Sequence, residues 1–343
     1  MTTSTTDSPF TDAAALSADL ADAKRSDTQR LSTAADAQAI VATFKANTAT
    51  GAWATLDRAT VADRLTLIVT DPDPNAAGGT QVDVPNAGYL ADTCGARVIQ
   101  QGDLNLCGPA AHMSRWAYRD PVAFATFATQ LFETGKSQIG SLAIAPGSDL
   151  LGADYNAMLA KMVHVAAPQA DWMFLSALRN TTNLFWQPSF VGDPSQQVAA
   201  MTLASQLTSW FSATGMYAKV DDQTNMVEEK GVEHAIGLDN LPGQDIVLLI
   251  NANLIALAEK GSPDSGWIVN QFPNHYVGLL NAPTLSADQT TITLNVWTWG
   301  RSSRIGSTPD PDKVGQTVDV AVADFIKNYY GAIVATMTPP SSP

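Results

Sequence analysis

The run Gln101-Gly102-Asp103-Leu104-Asn105-Leu106-Cys107-Gly108-Pro109-Ala110-Ala111 decides how the rest of the chain is read. A polar loop leads into a cysteine, and Gly108-Pro109 opens a segment, Ala110 to Phe132, with the composition of a helix. Proline is tolerated in the first turn of a helix, where its missing N–H removes no intrahelical bond. Cys107 is therefore expected at or just before a helix N-terminus. The partial positive charge of that end favours an anion. A thiolate there is stabilised and its pKa falls, as a nucleophilic cysteine requires. Without such neighbours a free cysteine reads as inert core packing.

The same residues carry a resemblance. Gln101 stands six positions before Cys107, with Gly102 directly after it. This spacing resembles the papain-like cysteine peptidases, and Leu106-Cys107-Gly108-Pro109-Ala110-Ala111 is closer to their bacterial, C39-like relatives than to papain itself. The resemblance implies Cys107 as nucleophile and Gln101 as oxyanion donor. It implies an α+β, papain-like fold in which a nucleophile-bearing helix packs on an antiparallel sheet that brings the base. It further implies a cysteine hydrolase acting on a protein or peptide substrate, with no cofactor and no metal.

A thiol needs a base, usually histidine, and the chain has 4 histidines. His112 follows Cys107 by five residues, about 500° of helical rotation, and reads as packing. His164 closes a helical segment, where the dipole explains it. His234 lies in Glu233-His234-Ala235-Ile236-Gly237-Leu238, a competitor flanked by segments that look exposed. His275 opens the apolar run Tyr276-Val277-Gly278-Leu279-Leu280, and in C39-like enzymes such a strand follows a buried one like Ile246 to Asn251. The resemblance therefore favours His275.

The orienting residue departs from the family. Its Asn or Asp precedes a Trp-Gly pair, matched here by Trp299-Gly300, but the corresponding position is Trp297, which offers no acceptor. Asn295, two residues earlier and on the same side of a strand, is the candidate. A backbone carbonyl, Thr298 or an unassisted Cys-His dyad are the alternatives. The departure also admits a second function on the same scaffold, a binding protein without activity. Deamidase and acyl-transferase chemistry share the same site.

The remaining chain gives α+β order. Helical patterns are expected over Ala13 to Asn47, Asp149 to Val165, Asp171 to Arg179 (with Asp171 near the cap) and Val198 to Thr214. Leu65 to Thr70 alternates like a short strand. Strands are expected over Gln244 to Asn251, Tyr276 to Leu280 and Thr290 to Trp299, the last two forming a hairpin, and a closing helix over Asp319 to Tyr330. Residues 1–12 form a disordered start, 13–80 a helical N-terminal region, 81–338 the hydrolase domain and 339–343 a frayed tail. With 343 residues, a net charge of -14 and 45% hydrophobic content, the chain is globular and repels nucleic-acid phosphates and anionic membranes. Its two cysteines, Cys94 and Cys107, do not make a disulfide framework. Met1 to Asp12 lacks an apolar signal region, and no run reaches the about 18 apolar residues of a membrane span. A cytoplasmic protein is expected, or an effector exported by a system that needs no signal peptide. Oligomeric state is left open.

Overall fold

The structure is a computed structural model that describes residues 30–70, 82–83, 90–91, 99–162, 165–239, 241, 243–261, 272–280, 282–298 and 316–338. Two helices open the described chain, α1 (Ala34–Ala46) and α2 (Arg58–Val69), capped by the side chains of Thr33 and Asp57. The strand expected at Leu65 to Thr70 is thus corrected to the end of α2. Val61, Ala62, Leu65, Ile68 and Val69 are all buried, and that spacing is helical; the alternation of Leu65, Leu67 and Val69 is incidental to it. Of the helix expected over Ala13 to Asn47, residues 13–29 lie outside the described residues, as does the boundary near residue 80.

A two-residue ladder pairs β1 (Val82–Asp83) with β2 (Leu90–Ala91). The expected long helix then appears as two, α3 (Cys107–Arg119) and α4 (Pro121–Thr134). Asp120 ends the first and caps the second through its side chain, and Pro121 cannot continue a helix but starts one well. The hairpin β3 (Ser137–Ile139) and β4 (Leu142–Ile144) follows. Two short helices, α5 (Ser148–Leu151) and α6 (Tyr155–Leu159), replace the single helix expected there. Next come α7 (Gln169–Thr181), α8 (Gln197–Ala200) and α9 (Ala204–Ala213). Asp171 lies in the first turn of α7, near its cap as expected. It is fully buried and forked onto Arg64 of α2 at 2.7 and 2.9 Å, and it also accepts the Gln100 N–H at 2.6 Å.

The C-terminal half supplies β5 (Tyr217–Asp222), α10 (Val232–Ile236), β6 (Gln244–Ile250), α11 (Asn253–Lys260), β7 (His275–Leu279), β8 (Thr284–Leu285), β9 (Thr291–Trp297), β10 (Gln316–Ala321), α12 (Val322–Ile326) and β11 (Tyr329–Met337). One antiparallel sheet runs β10-β9-β7-β6-β11-β5, with β8 paired to β9. The closing helix expected over Asp319 to Tyr330 is corrected to strand, a single helical turn and strand. Val318 and Val320 alternate inward on β10, and β11 is buried along most of its length.

Alternation on the sheet builds two apolar layers. Val247, Leu249, Tyr276 and Trp297 face α1–α4, α7 and α9 in the larger core. Ile246, Leu248, Ile250, Val277, Leu279 and Val296 face α10, α11 and α12 on the other side. The chain is therefore α+β, helices first and an antiparallel sheet after.

α3 is locked to the sheet by charge as well as by packing. Arg119 grips Asp245 of β6 with Nε at 3.0 Å and Nη2 at 3.1 Å, and the Tyr217 hydroxyl donates to the same carboxylate at 2.8 Å. One turn earlier, Arg115 donates from Nη2 to the Leu279 carbonyl at 3.0 Å. It lies across Gly278, where a Cβ would come within 2.8 Å of Nη2 and push the guanidinium aside. Breaking a buried ion pair by deleting one partner leaves an uncompensated charge. Asp245→Ala is therefore expected to cost roughly 3–5 kcal/mol, measured as a fall in the denaturant midpoint at unchanged slope. A loss below about 1 kcal/mol, the scale of an exposed pair, would contradict this lock.

Candidate functional site

The loop before Cys107 is fixed from both ends. Gln101 is buried; its Nε2 donates to the Leu104 carbonyl at 2.8 Å, and the Leu104 N–H returns to the Gln101 carbonyl at 3.3 Å. The Asp103 N–H donates to the Val165 carbonyl at 2.9 Å, and the Asp103 side chain accepts the Val165 N–H at 3.0 Å. The sequence Gln-Gly-Asp-Leu thus makes a tight, self-bonded turn that delivers the chain into α3.

Cys107 is the first residue of α3, and Leu106 before it has no side chain able to cap the helix. The first N–H groups of a helix need partners. Here the sulfur takes part of that role, with the N–H groups of Tyr276, Gly108 and Cys107 itself directed at it. The thiol lies 3.9 Å from the Asn274 carbonyl. Asn274 and Tyr276 are the residues on either side of His275, so the fold brings the backbone around His275 onto the Cys107 sulfur across more than 160 positions of sequence.

Alternation along β7 sends the side chains of His275 and Tyr276 to opposite faces. Tyr276 joins the core that holds Cys107. His275 is buried, and its Nε2 is 2.6 Å from the Thr298 Oγ1, one residue past the end of β9. Thr298 is thus the return-strand residue on this imidazole. Asn295 is half-buried in β9, on the Trp297 side by alternation, and its carbonyl accepts the Leu280 N–H at 2.8 Å. Trp299, Gly300, Cys94 and His164 lie outside the described residues. His112 is fully buried against Trp116, Trp210 and Phe211. His234, on α10, pairs its Nδ1 with the Tyr329 hydroxyl at 2.7 Å.

Burial decides the charge states. It pushes the Cys107 thiol up to about 11, against the three N–H groups that pull it down. It pushes His275 down to about 3. The lowered thiol pKa expected from the helix start is therefore corrected: desolvation outweighs the dipole at this depth, and thiol and imidazole both rest neutral, on opposite faces of β7.

Beside the sulfur is a void of about 20 Å³, lined by Cys107, Met201, Thr202, Leu249, Asn274 and Tyr276 among others. Among the described residues the hydroxyls of Tyr276 and Thr202 are buried without a partner. Thr202 comes close because position 108 is glycine; a Cβ there would lie 2.6 Å from the Thr202 Cβ. Sequence reasoning missed Thr202, which nothing local marks. No described helix is long and apolar enough to cross a membrane.

With its thiol near 11, only about one Cys107 in ten thousand is thiolate at pH 7. In a Cys94→Ser chain, alkylation by iodoacetamide is expected to be about 100-fold slower than for a free cysteine at pH 7 and to climb with pH through 9 without a plateau. A plateau below pH 7 would mean a pre-ionised thiolate. No family model, curated protein or solved structure matches the chain.

Proposed function

We propose that the chain is a cysteine hydrolase of papain-like type, cleaving protein or peptide substrates with Cys107 as nucleophile and His275 as base. One observation carries this: the Cys107 sulfur, at a helix start, rests against the backbone on both sides of His275. What converges on the thiol is the backbone of the candidate base; the imidazole itself points to the opposite face of β7, towards Thr298.

The chemistry follows from a neutral pair. At rest the His275 ring shares a hydrogen bond with the Thr298 hydroxyl on the far face of β7, and the mechanism needs it to leave that face for the sulfur. As the sulfur attacks the substrate carbonyl carbon, the S–H proton passes to the neutral imidazole, an S–C bond forms and the carbonyl electrons move onto oxygen. The N–H of Cys107 and the side-chain amide of Gln101 stabilise that oxyanion. Collapse breaks the C–N bond, and the leaving amine takes the proton from His275. Water, deprotonated by the same imidazole, then attacks the thioester, and the sulfur leaves and recovers the proton. Thr298 positions the ring, the role first sought in Asn295. Release of ammonia from a side-chain amide, or capture by an amine instead of water, uses the same steps, and the acceptor distinguishes them.

A second reading, an inactive binding protein on this scaffold, is favoured by the sealed and protonated thiol. Incubation with a mixed peptide library, read by mass spectrometry, separates the two. Cys107→Ala and His275→Ala are expected to abolish product formation. Gln101→Ala is expected to slow it about 100- to 1,000-fold, the cost of an oxyanion donor. Thr298→Val is expected to slow it less and to shift its pH profile, whereas Asn295→Ala leaves it near wild type. Products formed equally by wild type and Cys107→Ala would remove the hydrolase reading.

A further inference from the structure

Arg179 of α7 is a buried cation that no carboxylate answers among the described residues. It is fully buried, and its Nε donates to the Ala199 carbonyl at 2.9 Å. Nη1 and Nη2 have no partner among the described residues. Arg64 and Arg119 are buried as deeply, and each forks onto an aspartate. Burial lowers Arg179 to about 10, so the guanidinium stays charged at neutral pH. An isolated charge held away from water is costly unless something of opposite sign meets it.

A second polar group lies beside it. Ser176, one turn earlier on α7, is fully buried, and its hydroxyl also has no partner among the described residues. Residues three apart share a helix face, with Cβ atoms about 5–6 Å apart. A long helical side chain leans back over that preceding turn, so the guanidinium and the Ser176 hydroxyl open to the same side. Residues 190–199 cover this part of α7. Trp172 Nε1 donates to the Gly192 carbonyl at 2.9 Å and Asn180 Nδ2 to the Phe190 carbonyl at 2.7 Å. The one carboxylate of that covering segment, Asp193, is engaged elsewhere, by Lys161 Nζ at 2.5 Å and the Ser195 N–H at 2.9 Å.

We propose that Arg179 and Ser176 hold a small monovalent anion, a halide of the size of chloride, between α7 and the segment that covers it. The groups suit that chemistry: two guanidinium nitrogens and a hydroxyl can all donate, and one positive charge is to be balanced. Full burial disfavours bulkier anions. Because Arg179 also holds Ala199, the anion ties α8 to α7. α8 leads into Thr202, which packs against Gly108 at the start of α3. Nothing in this requires Cys107 to be a nucleophile.

Thermal unfolding of the full chain in sodium chloride and in sodium gluconate, at matched ionic strength, is the test. The wild-type midpoint is expected to rise when chloride replaces the bulky gluconate, and to climb with the logarithm of chloride concentration, as for a ligand that only the folded state binds. Arg179→Met, which removes the charge at similar length, is expected to show no such rise. Ser176→Ala, a milder change that carries the comparison if Arg179→Met does not fold, is expected to need about ten-fold more chloride for the same rise, the loss of one hydrogen bond to a charged group. Crystals of the wild type grown in sodium bromide should show an anomalous peak against Nη1 or Nη2 of Arg179. Water alone at those nitrogens would overturn the proposal, as would the same chloride response in wild type and variants. Bromide in the crystal with no chloride effect on the wild-type midpoint would be an adventitious ion only and would overturn it equally.

Discussion

The buried grip of Arg119 on Asp245, backed by Arg115 on the Leu279 carbonyl, determines where everything else sits. An ion pair held away from water is specific because both charges must find the same partner geometry. Two arginines one turn apart on α3, bonded to two adjacent strands, leave the helix little freedom to slide or roll. The N-terminus of α3 is three turns away and is delivered to the start of β7. A second buried pair, Arg64 with Asp171, works similarly among the helices and holds Gln100 at the entrance to the loop that precedes the cysteine. The candidate site is thus positioned by charge pairs that never touch it.

At the site two physical effects compete. A helix start and three converging N–H groups favour a thiolate, and burial opposes it. Burial prevails for Cys107 and also for His275. The consequence is a resting structure in which both groups are uncharged. Exclusion of water also strengthens any dipole aimed at the developing oxyanion. The same depth leaves the Tyr276 and Thr202 hydroxyls without protein partners, a cost that a substrate or a water offsets.

Much of this was legible in the sequence where local rules operate. Gly108-Pro109 marked a helix start, and the apolar run after His275 marked a buried strand. Local rules failed at Leu65 to Thr70, where helical and alternating patterns overlap, and at Asp319 to Tyr330, where a single helical turn joins two strands. They placed Asp171 near a helix start, but only the fold reveals Arg64 beside it. At the site, one-dimensional spacing singled out Cys107 and His275 as candidates, but it could not tell on which face of β7 the imidazole lies, nor Asn295 from Thr298 as its partner. Nor could it place Thr202, almost one hundred positions from Cys107, against the helix start. Those contacts exist only after the helices and the sheet have packed.

The central proposal, that the His275 imidazole reaches the Cys107 sulfur which α3 brings against its backbone, is open to a chemical ruler. 1,3-Dibromoacetone alkylates a thiol at one end and a nearby imidazole at the other. Treated in dilute solution and digested, the chain should yield a peptide containing Cys107 bridged to one containing His275, and this product should vanish in His275→Ala. Alkylation of Cys107 with the second arm hydrolysed, or bridged to His234 instead, would contradict the account.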